Sequence, residues 1–203
     1  QLLSSILYMI RVLDLTSNEE IKEYNDILIR NKNQNPFFLY DYFKTFSSNK
    51  GKLISFLYYD ECFECNIVMP GYLTAVNINN VKTDYYHFSS PYGYTGHLIL
   101  NYKTEDIIKK FWNEINQWYI EHNVVSEFIR FDLFSNYKMY DSNLHNTMLN
   151  IKGRITDEDY QWKSFDHKVR KNVNKALKEG LKCEIYYLDI PDIEIDKFYE
   201  VYI

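Results

Sequence analysis

Residues 104–134 read TEDIIKKFWNEINQWYIEHNVVSEFIRFDLF, and this stretch decides the fold class. Thr104 is placed to cap a helix, with Glu105 and Asp106 in the first turn, where the helix dipole favours acids. Ile107, Ile108, Phe111, Trp112, Ile115, Trp118 and Tyr119 recur at helical spacing and form one apolar stripe. His122 ends the pattern. Residues 127–134 then predict a strand, bracketed by Ser126 and Ser135-Asn136. Immediately upstream, residues 84–89 predict another strand, and Ser90-Pro91-Tyr92-Gly93-Tyr94-Thr95-Gly96 reads as a loop by its Pro and Gly content. A long helix is thus enclosed between two strands.

Working outward, residues 8–15 predict a short strand. Ser17 and Glu20 have capping-box spacing before a helix carrying Ile21, Tyr24 and Leu28. Asn35-Pro36 opens a second, short helix filled by Phe37, Leu39, Tyr40, Phe43 and Phe46. The apolar runs 53–59 and 63–69 predict a β-hairpin around residues 60–62, ended by Pro70-Gly71. Downstream, residues 150–159 are polar and turn-rich. Ser164 is placed to cap a further helix, with Asp166 in its first turn and Gly180 as its stop. Residues 181–187 predict a strand, and a last helix starts near Ile193 and is still apolar-periodic through Phe198, Val201 and Tyr202. The order predicts an α/β (α+β) fold, a mixed sheet flanked by helices. A first domain is expected over residues 1–155, with 156–203 expected as the truncated beginning of a second.

The length of 203 residues, at ~150 residues per domain, agrees with one domain and part of another. With 46% hydrophobic, 25% charged and 18% aromatic residues, the chain is too apolar and too rich in rings for a solvated coil. Tyr (20) and Phe (13) are frequent; either a biased base composition or a surface that stacks rings on sugars or bases gives this profile. The net charge of −5 argues against whole-chain binding to a phosphate backbone. Three cysteines do not make a disulfide framework. Cys62 and Cys65 have CxxC spacing but no second ligand pair, which predicts a structural turn and no metal. No run of 18 apolar residues is present.

Three stretches carry a family resemblance: residues 86–96; Phe111-Trp112 through residues 125–131, ending at Asn136; and residues 166–176 followed by Gly180-Leu181. In this order they resemble the GNAT superfamily of acyltransferases, more narrowly the FemAB-like branch of peptidoglycan-bridge aminoacyltransferases. The resemblance implies a GNAT-like mixed sheet followed by the start of a second such fold. It also implies acyl or aminoacyl transfer to an amine acceptor, a cell-wall or polysaccharide precursor. The implied donor is acyl-CoA or aminoacyl-tRNA, bound mainly outside this segment. The implied partner is an anionic small-molecule or lipid-linked acceptor, with tRNA a further one. The implied location is the cytoplasm, peripheral at the inner membrane surface. A non-catalytic acceptor- or anion-binding module derived from that fold is the alternative.

The residues themselves point to two places. Tyr92, Gly93, Tyr94 and Gly96 lie in a loop at a strand end, where two rings and two flexible backbone units suit a sugar or peptide. Their spacing does not fit a coenzyme A pyrophosphate cradle, which needs consecutive free N–H groups at a helix start. Arg130, set between Ile129 and Phe131, reads as either an anion ligand or the partner of Asp132 on the same strand face. The second place is the helix after Asp166. Lys168, Lys171, Lys175 and Lys178 recur at spacings of 3, 4 and 3, within an arc of about 80° opposite Val169, Val173 and Leu177. Arg170 adds to them. Residues 163–182 hold seven Lys or Arg against two acids, a net +5 in a chain of −5. Lys168, Arg170, Lys171 and Lys175 are therefore candidate ligands for an anion. The five histidines are scattered, with no Asp or Ser at triad-like positions, so the catalytic residues stay unassigned.

Overall fold

The computed structural model describes residues 10–33, 35–47, 51–59, 64–101, 104–133, 136–140, 142–147, 149–151, 153–186 and 190–203. Cys62, the 60–62 turn and the outer ends of the 8–15 and 181–187 predictions lie outside them. The chain divides into two compact units, Gln1–Asn150 and Ile151–Ile203.

The first unit is a mixed sheet flanked by helices, the fold class that the residue pattern predicts. Its order is β1 (Ile10–Asp14), α1 (Asn18–Arg30), a 3-10 turn (Pro36–Phe38), α2 (Tyr40–Lys44), β2 (Lys52–Tyr59), β3 (Cys65–Ile78), β4 (Val81–Ser89), β5 (Leu98–Ile99), α3 (Glu105–Glu121) and β6 (Val124–Phe128). The strands lie in the order β1-β2-β3-β4-β6, with β5 on β3. All neighbours are antiparallel except β4 and β6, which α3 connects as a parallel pair. Parallel strands need such a crossover.

β2 lies inside the sheet and is buried on both faces, so it reads as a nearly unbroken apolar run. Leu53 and Leu57 join the core beneath α1 and α2, with Leu13, Tyr24, Leu28, Phe43 and Tyr72. Ile54, Phe56 and Tyr58 point the other way, to Phe111, Trp112, Ile115 and Tyr119 of α3. The apolar stripe of α3 is thus the buried one. Asn79 and Asn80 both take left-handed backbone (φ 51° and 65°) between the paired Ile78 and Val81, a two-residue hairpin that matches sheet twist.

Several local expectations are corrected. Pro70-Gly71 does not end a strand; β3 continues to Ile78. On the edge of β3 away from β2, β4 pairs with residues from Tyr72 onward and β5 with Ile67 and Val68. Met69–Gly71 fall outside both ladders, so a proline there forfeits no bond on that side. Gly71 is required for a different reason: a Cβ on it would lie 2.2 Å from Phe88 Cζ. The strand expected over 127–134 is Val124–Phe128, and an isolated bridge joins Phe131 to Thr95. Ser17 stands at the N-cap of α1 without a side-chain bond, and Glu20 reaches back to the Asp14 N–H instead. Thr104 likewise caps α3 by backbone only.

In the second unit, α4 (Glu158–Ser164) and α5 (His167–Lys178) are separate helices, followed by α6 (Asp192–Tyr202). Ser164 ends α4 rather than opening a helix. Asp157 caps α4 and Asp166 caps α5, each accepting a bond from a first-turn N–H. Gly180 (φ 79°) follows α5 as a C-terminal stop. Residues 181–186 are not a strand, and among the described residues of this unit no strand is found to pair with them.

Candidate functional site

The parallel pair parts at its C-terminal end. Ser89 is still in register with Phe128, and Thr95 bridges to Phe131. Between them, Pro91 to Tyr94 leave the sheet as a loop. Its base is fastened to the neighbouring backbone. Ser90 N–H donates to Phe128 O, Arg130 N–H to Ser90 Oγ, and Thr95 N–H to Arg130 O, each at 2.9 Å. Asn136 then locks the exit: its Nδ2 donates to Thr95 O and His97 O at 3.1 Å, and its Oδ1 accepts from Asp132 N–H at 3.0 Å. Aromatic rings support the loop from below. Phe37 meets Tyr94 edge-on at 5.7 Å, and Phe46 lies 5.4 Å from Tyr92.

This loop walls a cleft of about 630 Å³, within the range of small-molecule sites. Tyr92, Gly93, Tyr94 and Arg130 are brought together in it. Gly96 is not part of the lining. It is buried at φ 83°, and a Cβ there would meet Phe131 at 3.0 Å. Gly93 (φ 99°) sits directly on the Phe37 ring. Both glycines thus serve the packing of the loop.

Arg130 stands just beyond β6, not mid-strand. Its guanidinium lies 4.6 Å from the Phe128 ring centre and 5.9 Å from that of Tyr92. Asp132 instead accepts from Asn136 N–H. Among the described residues no carboxylate forms an ion pair with Arg130. A half-buried guanidinium beside two rings and lining a cleft is suited to a planar anion.

The residue pattern did not reveal Glu127 and Tyr140, which also line the cleft. Tyr140 donates its phenol hydrogen to Glu127 Oε1, and Tyr119 donates to Oε2 at 3.0 Å. Burial, and then the carboxylate, push the Tyr140 phenol up to about 12; the same causes push Tyr119 well above its ordinary value. Both phenols stay protonated, and Glu127 is held as a fixed acceptor. The signal was tertiary: Glu127 lies 8 residues from Tyr119 and 13 from Tyr140. Asn143, Leu144, His145, Asn146, Thr147 and Asn150 complete the lining, mostly polar, and Tyr94 donates to Asn150 Oδ1 at 2.8 Å.

His87 Nδ1 and Ser126 Oγ are 2.9 Å apart across β4 and β6, outside the cleft lining. Cys65 is a half-buried thiol in β3, pushed by burial up to about 12. Among the described residues no group of three or more His, Cys, Asp or Glu could hold a metal ion, and no helix is long and apolar enough to cross a membrane. In the second unit, Arg170, Lys171 and Lys175 line a groove with Trp162, His167, Asn174 and Lys178, while Lys168 stands outside it.

No protein family model and no curated protein matches the chain. Among solved structures it is similar to one described as a probable acetyltransferase, at 12% identity over 73% of this chain and 99% of that one, with a TM-score of 0.42. It is also similar to an aminoglycoside acetyltransferase from an uncultured soil metagenomic sample, in complex with trehalose (12%, 72% and 95%, TM-score 0.43). A third is a ribosomal-protein-alanine N-acetyltransferase from Brucella melitensis biovar Abortus 2308 (9%, 71% and 98%, TM-score 0.41).

Proposed function

We propose that the cleft is the acceptor site of a GNAT-like, FemAB-related acyl- or aminoacyltransferase whose acceptor is an amine on an anionic cell-wall or polysaccharide precursor. The observation that carries this reading is the joint placement of Arg130, the Tyr92–Tyr94 loop and the Glu127–Tyr140 pair around one cleft. Arg130 takes the anionic group, the tyrosine rings stack on a sugar face, and the Asn and Thr wall bonds its hydroxyls.

Attack on the acyl carbon forms a C–N bond, requires the amine to lose a proton, and breaks the donor's thioester or ester bond. The departing thiolate or alkoxide takes up the proton relayed through the Tyr140–Glu127 pair. Tyr140 is placed to accept the amine proton at the phenol oxygen while passing its own hydrogen to Glu127, so one proton enters the pair and one moves within it. Tyr119 holds the other carboxylate oxygen and fixes its direction.

The donor is not held by the segment between β4 and α3. Gly93 and Gly96 are packed against rings, and the first turn of α3 carries Glu105 and Asp106, which repel a pyrophosphate. Acyl-CoA or aminoacyl-tRNA is therefore bound mainly by other residues.

The test is mass spectrometry of amino-sugar and amino-acid acceptors incubated with the chain and either acetyl-CoA or aminoacyl-tRNA. Acylated amine should form, and Tyr140→Phe should lower kcat by about 100-fold with little change in KM. Acceptor binding with no product from either donor would favour the non-catalytic module instead.

A further inference from the structure

The two rings beside Arg130 are unequal supports. Phe128 belongs to β6, so the sheet fixes its backbone, and its ring centre lies 4.6 Å from the guanidinium. Tyr92 stands in a loop, is 56% exposed, and lies at 5.9 Å, inside the roughly 6 Å reach of a cation–π contact. A ring exposed over more than half its surface takes its direction from the few groups that touch it. One of them is Phe46, 5.4 Å away and tilted by 38°. Phe46 does not itself line the cleft.

Phe46 is in turn held from the core. Its N–H donates to Phe43 O at 3.2 Å, just past the end of α2. The same carbonyl accepts from the buried Tyr72 hydroxyl of β3 at 2.5 Å. Further upstream, the buried Tyr24 hydroxyl of α1 donates to Phe38 O at 2.8 Å. Residues 36–46 are therefore pinned at two carbonyls. Rings run along this segment from one end of the loop to the other: Phe46 meets Tyr42 at 5.2 Å, Tyr42 meets Phe37 at 5.4 Å, and Phe37 meets Tyr94 at 5.7 Å. The loop is thus gripped at both Tyr92 and Tyr94 by a segment tied to the sheet and to α1. Support of this kind is what fixes a binding group in one direction.

Three roles for Phe46 differ in what they affect. Packing alone touches stability and nothing in the cleft. Support of Tyr92 as a stacking platform serves charged and uncharged sugars alike. Support of Tyr92 as the outer flank of Arg130 serves only acceptors with an anionic group. The geometry favours the third, because Tyr92 lies within reach of the guanidinium, and Tyr94, held by Phe37, is left to stack on a sugar. A guanidinium already held by rings loses less freedom when it meets an anion.

We infer that Phe46 is a positioning residue that selects anionic acceptors: through Tyr92 it holds the Arg130 guanidinium beside Phe128 at the cleft. The selection of acceptors rests on the reading of the cleft given above, whereas the placement of the guanidinium does not.

Two measurements on the full chain keep these apart. The NMR resonance of the Arg130 Nε–H group, assigned by its loss in Arg130→Gln, reports the guanidinium without any ligand. Ring currents should displace it from the position of an exposed arginine. Phe46→Ala should move it back towards that position, and Phe46→Tyr should leave it in place. Isothermal titration with glucosamine 6-phosphate and with glucosamine then reads the cleft. Phe46→Ala should weaken the phosphate ester about 10-fold and the uncharged sugar less than about 3-fold, and Phe46→Tyr should restore the difference. Phe46→Leu keeps apolar bulk without a ring and should act in the same direction as alanine, so the test survives if Phe46→Ala unfolds. The inference is overturned if the Arg130 resonance is unchanged in Phe46→Ala and Phe46→Leu, or if the two sugars weaken equally. If the wild type shows no preference for the phosphate ester while the resonance still moves, the reading of the cleft fails and the positioning of Arg130 by Phe46 stands.

Discussion

Gly71→Ala should cost about 3 kcal/mol of stability or more, far beyond the usual effect of adding one methyl group. The new Cβ would stand 2.2 and 2.3 Å from the Phe88 ring and 2.9 Å from Ser89 O. Phe88 is fully buried, packed against Phe56 at 5.4 Å and Tyr119 at 5.8 Å, so its ring has no free direction in which to retreat. Urea unfolding of the wild type, Gly71→Ala and the double variant Gly71→Ala/Phe88→Leu measures the effect. The clash explanation requires strong coupling, with the double variant losing much less than the two single losses combined.

Between pH 7 and pH 5 the chain should lose about 2 kcal/mol of unfolding free energy through one histidine, and about 3 by pH 4. His97 is buried at 1% exposure, enclosed by the rings of Phe111, Trp112 and Phe131. Neither ring nitrogen has a hydrogen-bond partner among the described residues. Burial disfavours the imidazolium and lowers its pKa from the ordinary 6.5 to about 4. The unfolded chain therefore binds the proton first. This contribution to stability is fully present above pH 6.5 and is lost as the pH falls towards 4. His97→Leu should remove that part of the acid slope while leaving the carboxylate-driven part below pH 4 in place. Unchanged slopes in the two proteins between pH 4 and 6.5 would show that His97 does not titrate in this way.

Elements set by local pattern were legible in the residues. α3 was, because seven apolar side chains repeat at helical spacing and five of them are buried. α1 was, and so was the hairpin partnership of β2 and β3. The 91–96 loop followed from its Pro and Gly residues. Features set by a partner distant in sequence were not legible. Pro70 reads as a strand terminator until β5 and β4 are seen to leave a gap opposite it. Arg130 reads equally as an anion ligand or as the partner of Asp132 until Phe128 and Tyr92 are seen flanking it. In the residue pattern Asn136 only closes a stretch, yet it bonds two carbonyls that lie 41 and 39 residues away. Residues 181–186 have strand-like composition, but a strand needs a ladder. The same distinction holds for the site. Two tyrosines and an arginine were named from loop and strand position, whereas Glu127 acquires its role only from phenols supplied by α3 and by Tyr140.

The cleft beside the Tyr92–Tyr94 loop is proposed to receive an acceptor bearing both an amine and an anionic group. Isothermal titration of the chain with glucosamine 6-phosphate, with uncharged glucosamine as the comparison, tests it most directly. The structure predicts saturable binding of the phosphate ester, at least 10-fold weaker binding of the uncharged sugar, and loss of that difference in Arg130→Gln. Equal affinity for the two sugars, or a preference that survives Arg130→Gln, would contradict it.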